Sequence, residues 1–434
     1  MSSLGLQLLG VNAFAYDYPR CSYLRLRRGR WYLVSIRILK IVVGLCLTAV
    51  LVFGLVRHAA QVERNVALRD SIAYWAAGTL LVHHHDPYDH RSVLQLERQH
   101  GYLDDRPLVL RTPPWSLFMV LGLGFLSPLW AWIAWITVLF ACLVVGLRLS
   151  RRLYGGGDVP QNAMTIVAYT FAPVAACLVS GQMGLVLMIG IVLFLWLEPT
   201  HPFFAGVVLL LPFAKPHLLA LFWLALLTWI VARRKCHVAL GFATAFAATT
   251  LLPVILDPQV FGHYRQMLQQ AAIGREFIPA LSGVLRLLFF RSHFWVQFVP
   301  MALGVIWSLW YLRRNWQTWD WRQHGPALLV VSVLTTPYEW LTDETVLLPA
   351  ILQALAGVYA ARQGLKASAK ILLIVLALLN VLLLLILRFK IPFSTGIYFW
   401  SSLVWFSWYF YAAHLKYRST PATARAAVSA QSPS

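Results

Sequence analysis

Acidic residues are scarce in this sequence: 16 of the 434 residues are Asp or Glu, against 36 Lys and Arg, and all charged residues together make up 12%. An ordinary soluble domain carries roughly 25% charged residues. Hydrophobic residues account for 59% of the chain, and apolar runs of about 20 residues recur. In lipid, such a run satisfies its backbone hydrogen bonds only as a helix. The sequence therefore predicts an all-α polytopic integral membrane protein.

Several signatures of other protein classes are missing. The five cysteines have no C-x-x-C spacing and are interpreted as core residues. The glycine run 155–157 lacks the lysine and the helix context of a phosphate-binding loop, and no repeat with a period of about 20 to 50 residues is evident. The basic residues are scattered between apolar runs, which indicates topology determinants and lipid headgroup contacts and argues against nucleic-acid binding.

The distribution of basic residues predicts the topology. Residues 1–31 carry five arginines between positions 20 and 30, ahead of an apolar run at 32–56, which is typical of an uncleaved signal anchor with a cytoplasmic N-terminus. We expect a transmembrane domain over residues 32–416 with about eleven to thirteen spans, followed by a disordered tail at 417–434. Basic clusters at 233–235, 313–314, 362–370 and 416–418 should be cytoplasmic.

One basic cluster conflicts with this topology. If segments 114–126 and 129–149 both cross the membrane, the cluster at 148–152 lies outside. The first of these segments would be only about 20 Å long as a helix, which is short for a complete crossing. The sequence alone does not fix the number of crossings between Pro114 and Lys215.

The most polar stretch of the chain is residues 70–114, which holds six of the sixteen acidic residues. It belongs to a first outer loop at 57–111 on the non-cytoplasmic side. Apolar residues at helical spacing between Ser71 and Leu81 predict an amphipathic helix in the membrane interface, and a second short helix is expected over 90–100. Residues 257–282 form a second outer polar insert by parity with the flanking basic loops.

Asp70 has two interpretations. It lies at the start of the first predicted helix, where a carboxylate is stabilised as a helix cap. The alternative is a catalytic carboxylate that accepts a proton from a substrate.

The histidines at 83–85, with Asp86, Asp89 and His90, suggest a metal site, since imidazole and carboxylate suit zinc or a related ion. Consecutive histidines in a loop cannot all face one ion without strain. We therefore predict no metal and no cofactor, with a divalent cation as the weaker alternative.

Two short breaks between apolar segments carry polar groups. Gln182 follows Gly181 in what is either a bare hairpin turn or a binding turn. Lys215 lies between apolar segments, where it either extends to water or binds an anion. Further along, Glu339, Asp343 and Glu344 flank a predicted span, and acids at such a boundary are candidates for function.

These motifs together resemble a known family. The ordered set comprises Asp70 followed by the residues YWAAG at 74–78, Asp86-Pro87-Tyr88-Asp89, Pro113-Pro114, Gly181-Gln182, Lys215-Pro216, and Pro337-Tyr338 followed by Asp343 and the residues LLP at 347–349. In this order the sequence resembles the integral-membrane glycosyltransferases of family 87, which have the GT-C fold. The resemblance spans about residues 60–350.

The resemblance implies transfer of a sugar, usually mannose, from a polyprenyl-phosphate donor to a lipid or glycan acceptor, with inversion, at the outer face of a bacterial inner membrane. It implies a role in the cell envelope and assigns Asp70 as the general base. Histidines stand before Asp86 where the family often has glycine, and the segment 342–344 replaces a histidine-containing motif.

A leaving lipid phosphate requires cations, and aromatic residues can stack on a sugar or anchor the protein at the interface. The predicted substrate-binding residues are Tyr74, Trp75, Asp86, Tyr88, Arg111, Gln182, Lys215, His217, Arg275, Arg286, Tyr338, Glu339 and Asp343.

A transporter or lipid flippase for a glycolipid or polyprenyl carrier is the alternative from another class. Against it, internal repeats are not evident and polar residues collect in outer loops rather than near the membrane midplane. Placement of Asp70 and Asp343 on opposite faces of the membrane would favour transport.

Overall fold

Residues Glu63–Ser434 form one compact unit. A computed structural model describes Arg57 and residues 69–156, 161–271, 277–361, 366–392 and 395–419. The predicted N-terminal segment 1–31, the first span at 32–56 and most of the tail at 417–434 lie outside the described residues. All regular secondary structure in the described ranges is helical, which confirms the all-α prediction.

The described helices, numbered here in chain order, are α1 (Ser71–Val82), α2 (His90–Gln99), α3 (Phe118–Leu121), α4 (Pro128–Tyr154), α5 (Gln161–Thr170), α6 (Ala172–Ser180), α7 (Gly184–Leu197), α8 (Pro202–Val208), α9 (Ala220–Ala232), α10 (Cys236–Leu256), α11 (Val260–Ala271), α12 (Leu281–Phe289), α13 (Val299–Arg314), α14 (Trp321–Thr335), α15 (Leu348–Ala361), α16 (Lys366–Arg388) and α17 (Ser401–Ser419). Short 3-10 turns connect several of them, including Pro114–Ser116, Gly122–Phe125, Pro212–Ala214, Pro216–Leu219 and Asp343–Leu347.

Within the described ranges, four helical segments are long and apolar enough to cross a membrane: Pro128–Tyr154, Cys236–Leu256, Phe294–Arg314 and Ala367–Arg388. Two bent pairs, α5 with α6 and Pro202–Ala214 with Pro216–Ala232, raise the number to six if each pair is one span. The protein is therefore polytopic, as the sequence predicts. The count of eleven to thirteen also includes shorter apolar helices such as α7, which at 14 residues is about 21 Å long, and that count stays a prediction.

Helix α1 differs from the sequence-based expectation of an amphipathic interfacial helix. Ten of its twelve residues are buried, and it packs against α2, α3, α4 and the 3-10 turn Gly122–Phe125. The amphipathic prediction for α1 is wrong because small residues such as Ala73, Ala77 and Gly78 let neighbouring segments cover the side assigned to water. The second predicted helix is confirmed as α2, which buries only Val93 and Glu97.

The segment 114–126 is not one spanning helix. It consists of the 3-10 turn Pro114–Ser116, the four-residue α3 and the 3-10 turn Gly122–Phe125. Glycines at 122 and 124 disfavour a continuous helix here. Of the two segments in conflict, α4 alone has the length of a crossing.

Helix α7 is central to the described fold. Eleven of its fourteen residues are buried, and it packs against α4, α8 and the 3-10 turn Asp343–Leu347. Gly184 permits this contact, because a Cβ atom there would lie 2.3 Å from the carbonyl oxygen of Thr342. The polar turn at Gly181-Gln182, which precedes α7, therefore lies near the acidic residues at 339–344.

Candidate active site

Asp70 is held by a side chain far away in sequence. The Nε2 amide of Gln182 donates a hydrogen bond to Oδ2 of Asp70 over 2.7 Å, and the phenol of Tyr74 donates to Oε1 of Gln182 over 2.7 Å. Tyr74 lies on α1, one turn beyond Asp70, and Gln182 lies in the turn between α6 and α7. The three side chains form one chain of hydrogen bonds that fixes the orientation of the carboxylate.

The helix-cap interpretation of Asp70 does not describe its side chain. Asp70 precedes α1 with helical backbone angles, and its side chain makes no capping hydrogen bond. In contrast, Asp89 caps α2, accepting hydrogen bonds from the backbone nitrogen and hydroxyl of Ser92. The carboxylate of Asp70 therefore does not act as the helix cap that the local sequence suggests.

The turn that carries Gln182 is itself fixed. Gly181 has φ of +75°, in the left-handed region that favours glycine, and ends α6. The indole nitrogen of Trp135, on α4, donates to the carbonyl oxygen of Gly181 over 2.7 Å, and the Cys177 thiol donates to that of Gln182 over 2.9 Å. The Trp135 ring also contacts Tyr74 edge to face, with centroids 5.3 Å apart.

Lys215 and Asp343 form an ion pair. Nζ of Lys215 lies 2.6 Å from Oδ1 of Asp343, and the two side chains are 14% and 3% exposed. Lys215 lies at the 116° bend between Pro202–Ala214 and Pro216–Ala232. Oδ2 of Asp343 accepts a hydrogen bond from the backbone nitrogen of Trp340 over 3.2 Å. The sequence predicts both residues as site candidates, and the structure brings them into contact.

The positive charge of Lys215 reaches Asp70. Burial raises the pKa of the Asp70 carboxyl, while the hydrogen bond from Gln182 and the positive charges of Lys215 and Arg69 partly offset that effect. The Asp70 residue is nevertheless partly exposed. A desolvated but reachable carboxylate with a raised pKa has the properties of a general base.

The loop 336–344 is anchored from two sides. Ser282 donates its hydroxyl to the carbonyl oxygens of Thr336 and Pro337, over 2.8 Å in each case, and Nε2 of Gln297 donates to the same Pro337 oxygen. The ring of Tyr338 lies 4.4 Å from that of His217, centroid to centroid. These contacts place Tyr338 and His217 next to each other beside Lys215.

The other two acids of this loop are interior. Glu344 accepts hydrogen bonds from the Ser401 hydroxyl and, over 2.9 Å, from the Trp405 indole. Burial raises the pKa of Glu344 to about 8 and that of Glu339 well above its ordinary value. Glu339 is 3% exposed, so the structure places this predicted substrate-binding residue in the protein interior.

The remaining predicted site residues lie elsewhere. Asp86 and Tyr88 follow the far end of α1, a twelve-residue helix about 18 Å long, so they do not share a site with Asp70. The Tyr88 hydroxyl donates to the carbonyl oxygen of Thr112 over 2.9 Å, and the Trp75 indole donates to that of Leu126 over 2.8 Å. Both aromatic side chains are buried and pack within the fold.

Among the predicted cations, Arg286 is buried, with its guanidinium 5.4 Å from the ring centroid of Phe294, and Arg111 is exposed. Arg275 lies outside the described residues.

One group in the described part of the chain has the donor set of a metal site: Asp86, Asp257 and His263, whose ligand atoms lie within 4.8 Å of one another. The consecutive histidines at 83–85 are exposed and are not part of it. Asp257 and His263 are not identified from the sequence, and neither is Trp135. The sequence pattern that could have identified Asp257 is an Asp-Pro pair after an apolar run. The same pair follows α1 at Asp86.

The family model of glycosyltransferase family 87 matches residues 112–341, slightly more than half of the chain. The chain belongs to glycosyltransferase family 87. Family 87 membership makes it a membrane glycosyltransferase, whose substrates are a sugar donor and an acceptor. Gln182, Lys215 and Tyr338 lie within the matched residues, whereas Asp70 and Asp343 lie outside them. Neither the curated proteins nor the solved structures include a match.

Proposed function

We propose that this family 87 protein transfers a sugar from a polyprenyl-phosphate donor to a hydroxyl of a lipid or glycan acceptor, with Asp70 as the general base. Mannose is the sugar that the motif resemblance favours, and other hexoses or pentoses are compatible with the same chemistry. We place the reaction at the outer face of a bacterial inner membrane, in the assembly of the cell envelope.

The observation that carries the proposal is the environment of Asp70. Its carboxylate makes no helix cap, accepts a hydrogen bond from Gln182, and experiences the positive charge of Lys215. Two motifs that lie more than a hundred residues beyond Asp70, at Gln182 and Lys215, thus act on one partly exposed carboxylate. A structural role for Asp70 would not require this arrangement.

In the proposed reaction the acceptor oxygen attacks the anomeric carbon while Asp70 takes up the hydroxyl proton. The bond between that carbon and the phosphate oxygen breaks on the opposite side, so the configuration inverts and the lipid phosphate leaves with the bonding electrons. Lys215, oriented by Asp343, supplies positive charge near the developing phosphate. Tyr338 and His217 form an aromatic surface next to Lys215 on which a sugar ring can pack.

The flippase alternative assigns the boundary charges to a transport route. The convergence of Lys215 and Asp343 with Asp70 favours a single reaction centre instead. It supports the transferase proposal over the alternative.

The test replaces Asp70 by asparagine, which preserves the size of the side chain and removes its basicity. Purified full-length protein is incubated with a panel of polyprenyl-phosphate sugars and membrane lipids, and products are detected by mass spectrometry. Wild-type protein should form a glycosylated lipid or glycan, and Asp70→Asn should lose at least about a hundredfold in rate. Asp104→Asn, a matched change at an exposed position of the same loop, should retain activity. Full activity in folded Asp70→Asn would exclude Asp70 as the base.

A further inference from the structure

A second polar cluster lies beyond the opposite end of α1 from Asp70. It joins Asp86, in the loop between α1 and α2, to Asp257 and His263, which begin the insert after α10. Nδ1 of His263 lies 2.8 Å from Oδ2 of Asp257 and 3.6 Å from Oδ1 of Asp86. The proposed glycosyl transfer makes no use of these residues.

The spacing of the three ligand atoms fits one cation. Ligands about 2.1 Å from a zinc-like ion lie about 3.0 Å apart at the edge of an octahedron and about 3.4 Å apart in a tetrahedron. The distances from Nδ1 of His263 are 2.8 Å to Asp257 and 3.6 Å to Asp86, just below and just above this range. All three ligand atoms lie within 4.8 Å of one another. Adjustment of the side-chain torsions would bring all three ligand atoms to one ion.

The cluster combines two carboxylates with one imidazole. One imidazole nitrogen faces two carboxylates, and its single N–H can satisfy only one of them. Asp257 is 6% exposed, so water does little to stabilise its charge. A divalent cation would neutralise both carboxylates.

Contacts on either side hold the ligands in place. Oδ1 of Asp86 accepts from the backbone nitrogen of Tyr88 over 2.8 Å, and Oδ1 of Asp257 accepts from that of Gln259 over 3.0 Å. The rings of Tyr88 and Tyr264 pack 5.3 Å apart, centroid to centroid. The two segments, about 170 residues apart in sequence, are therefore aligned independently of any ion.

We infer that Asp86, Asp257 and His263 bind one divalent transition-metal ion of the Zn²⁺ or Mn²⁺ type, which ties the first outer loop to the insert after α10. The imidazole ligand favours these ions over Mg²⁺ and Ca²⁺, which prefer oxygen alone. Because α1, about 18 Å long, separates the cluster from Asp70, the ion is structural and takes no part in sugar transfer.

The test is Mn²⁺ binding to the full-length protein in detergent after treatment with a chelator, followed by electron paramagnetic resonance. Wild-type protein should bind about one Mn²⁺ per chain, and Mn²⁺ or Zn²⁺ should raise its unfolding temperature. Asp257→Asn and His263→Gln should each weaken Mn²⁺ binding at least about tenfold and abolish the shift in unfolding temperature. Asp89→Asn, in the same loop but outside the ligand set, should bind as wild type does.

Two outcomes would overturn the inference. One is the absence of Mn²⁺ or Zn²⁺ binding to the wild-type protein at micromolar concentrations. The other is equal binding by wild type and both ligand variants, with loss of binding only when the exposed His83 and His85 are replaced by alanine. Elution of each variant as a monodisperse species, and its unfolding temperature without metal, establish that it is folded.

Discussion

At the scale of single residues, the hydrogen bond from Gln182 makes the basicity of Asp70 depend on a neutral amide. The amide favours the charged carboxylate, and burial opposes it. Tyr74 fixes which end of the amide faces Asp70, because its hydroxyl donates to Oε1. The three residues should therefore affect activity as one unit.

Replacement of Gln182 by methionine tests this dependence. Loss of the donor should raise the pKa of Asp70 further, and the base must be deprotonated to work. The acid limb of the rate profile should therefore move to higher pH, with activity lost earlier as the pH falls. We expect a loss in kcat/KM of about tenfold near neutral pH.

Tyr74→Phe provides the graded control, since it keeps the Gln182 donor and removes only the phenol that orients it. The acid limb of the Tyr74→Phe rate profile should move in the same direction as that of Gln182→Met, by a smaller amount. An acid limb that is unchanged in Gln182→Met would show that this hydrogen bond does not control the catalytic carboxyl.

The Lys215–Asp343 pair allows stability to be separated from catalysis. Each single change, Lys215→Met or Asp343→Leu, leaves a buried charge without its partner and should cost about 3–5 kcal/mol in the free energy of unfolding. The double variant should recover most of that stability, because neither charge remains. It should not recover activity if Lys215 acts on the phosphate. Thermal unfolding and initial rates measure the two effects, and recovery of both would assign the pair a structural role alone.

Sequence reasoning identified most of these residues but not their contacts. Gln182, Lys215 and Asp343 stand out because polar groups between apolar runs are costly. The hydrogen bond between Asp70 and Gln182 joins residues 112 positions apart, and that pairing depends on tertiary packing, which single-sequence patterns do not encode.

At the scale of elements, α1 shows where periodicity misleads. Its sequence contains small and apolar residues on every side, and the expected water-facing side is covered by segments that approach closely. Conversely, α2 has a clear polar face and matches its prediction. Periodicity therefore fails for α1 because protein surrounds it, whereas solvent covers one side of α2.

The turn at Gly181 sets the distance between α1 and α7. A Cβ atom at Gly181 would lie 2.7 Å from Cβ of Ser71, and the positive φ adds backbone strain. Gly181→Ala should displace the Gln182 turn from Asp70 and reduce kcat by at least about tenfold.

Gly122→Ala is the matched control, since nothing lies within 4 Å of a Cβ at that position and its φ is −62°. It should retain wild-type rates. Equal activity of the two variants would show that the spacing between α1 and this turn is not critical.

At the scale of the whole molecule, the broken segment at 114–126 removes the conflict in the predicted topology. If this segment does not cross and α4 does, the positive-inside rule predicts a cytoplasmic position for the basic cluster at 148–152, without the conflict. Continued alternation then predicts that the turn at Gln182, the bend at Lys215 and the loop at 336–344 lie on the opposite side, together with Asp70.

Cysteine labelling tests this arrangement. In right-side-out vesicles, a membrane-impermeant maleimide should label the exposed position of Asp105→Cys and should label Arg234→Cys only after the membrane is permeabilised. A background in which native cysteines are replaced by serine controls for labelling elsewhere. Labelling of both positions from the same side would refute the alternation and, with it, the shared outer site.

The partial exposure of Asp70 has a consequence for the order of events in the proposed reaction. A carboxylate that can take a proton from an acceptor hydroxyl can also take one from water. A donor bound alone would then be hydrolysed and its sugar lost. The catalytic advantage of the site therefore depends on the acceptor occupying the space next to Asp70 before the donor carbon becomes reactive, so that the acceptor itself excludes the competing nucleophile.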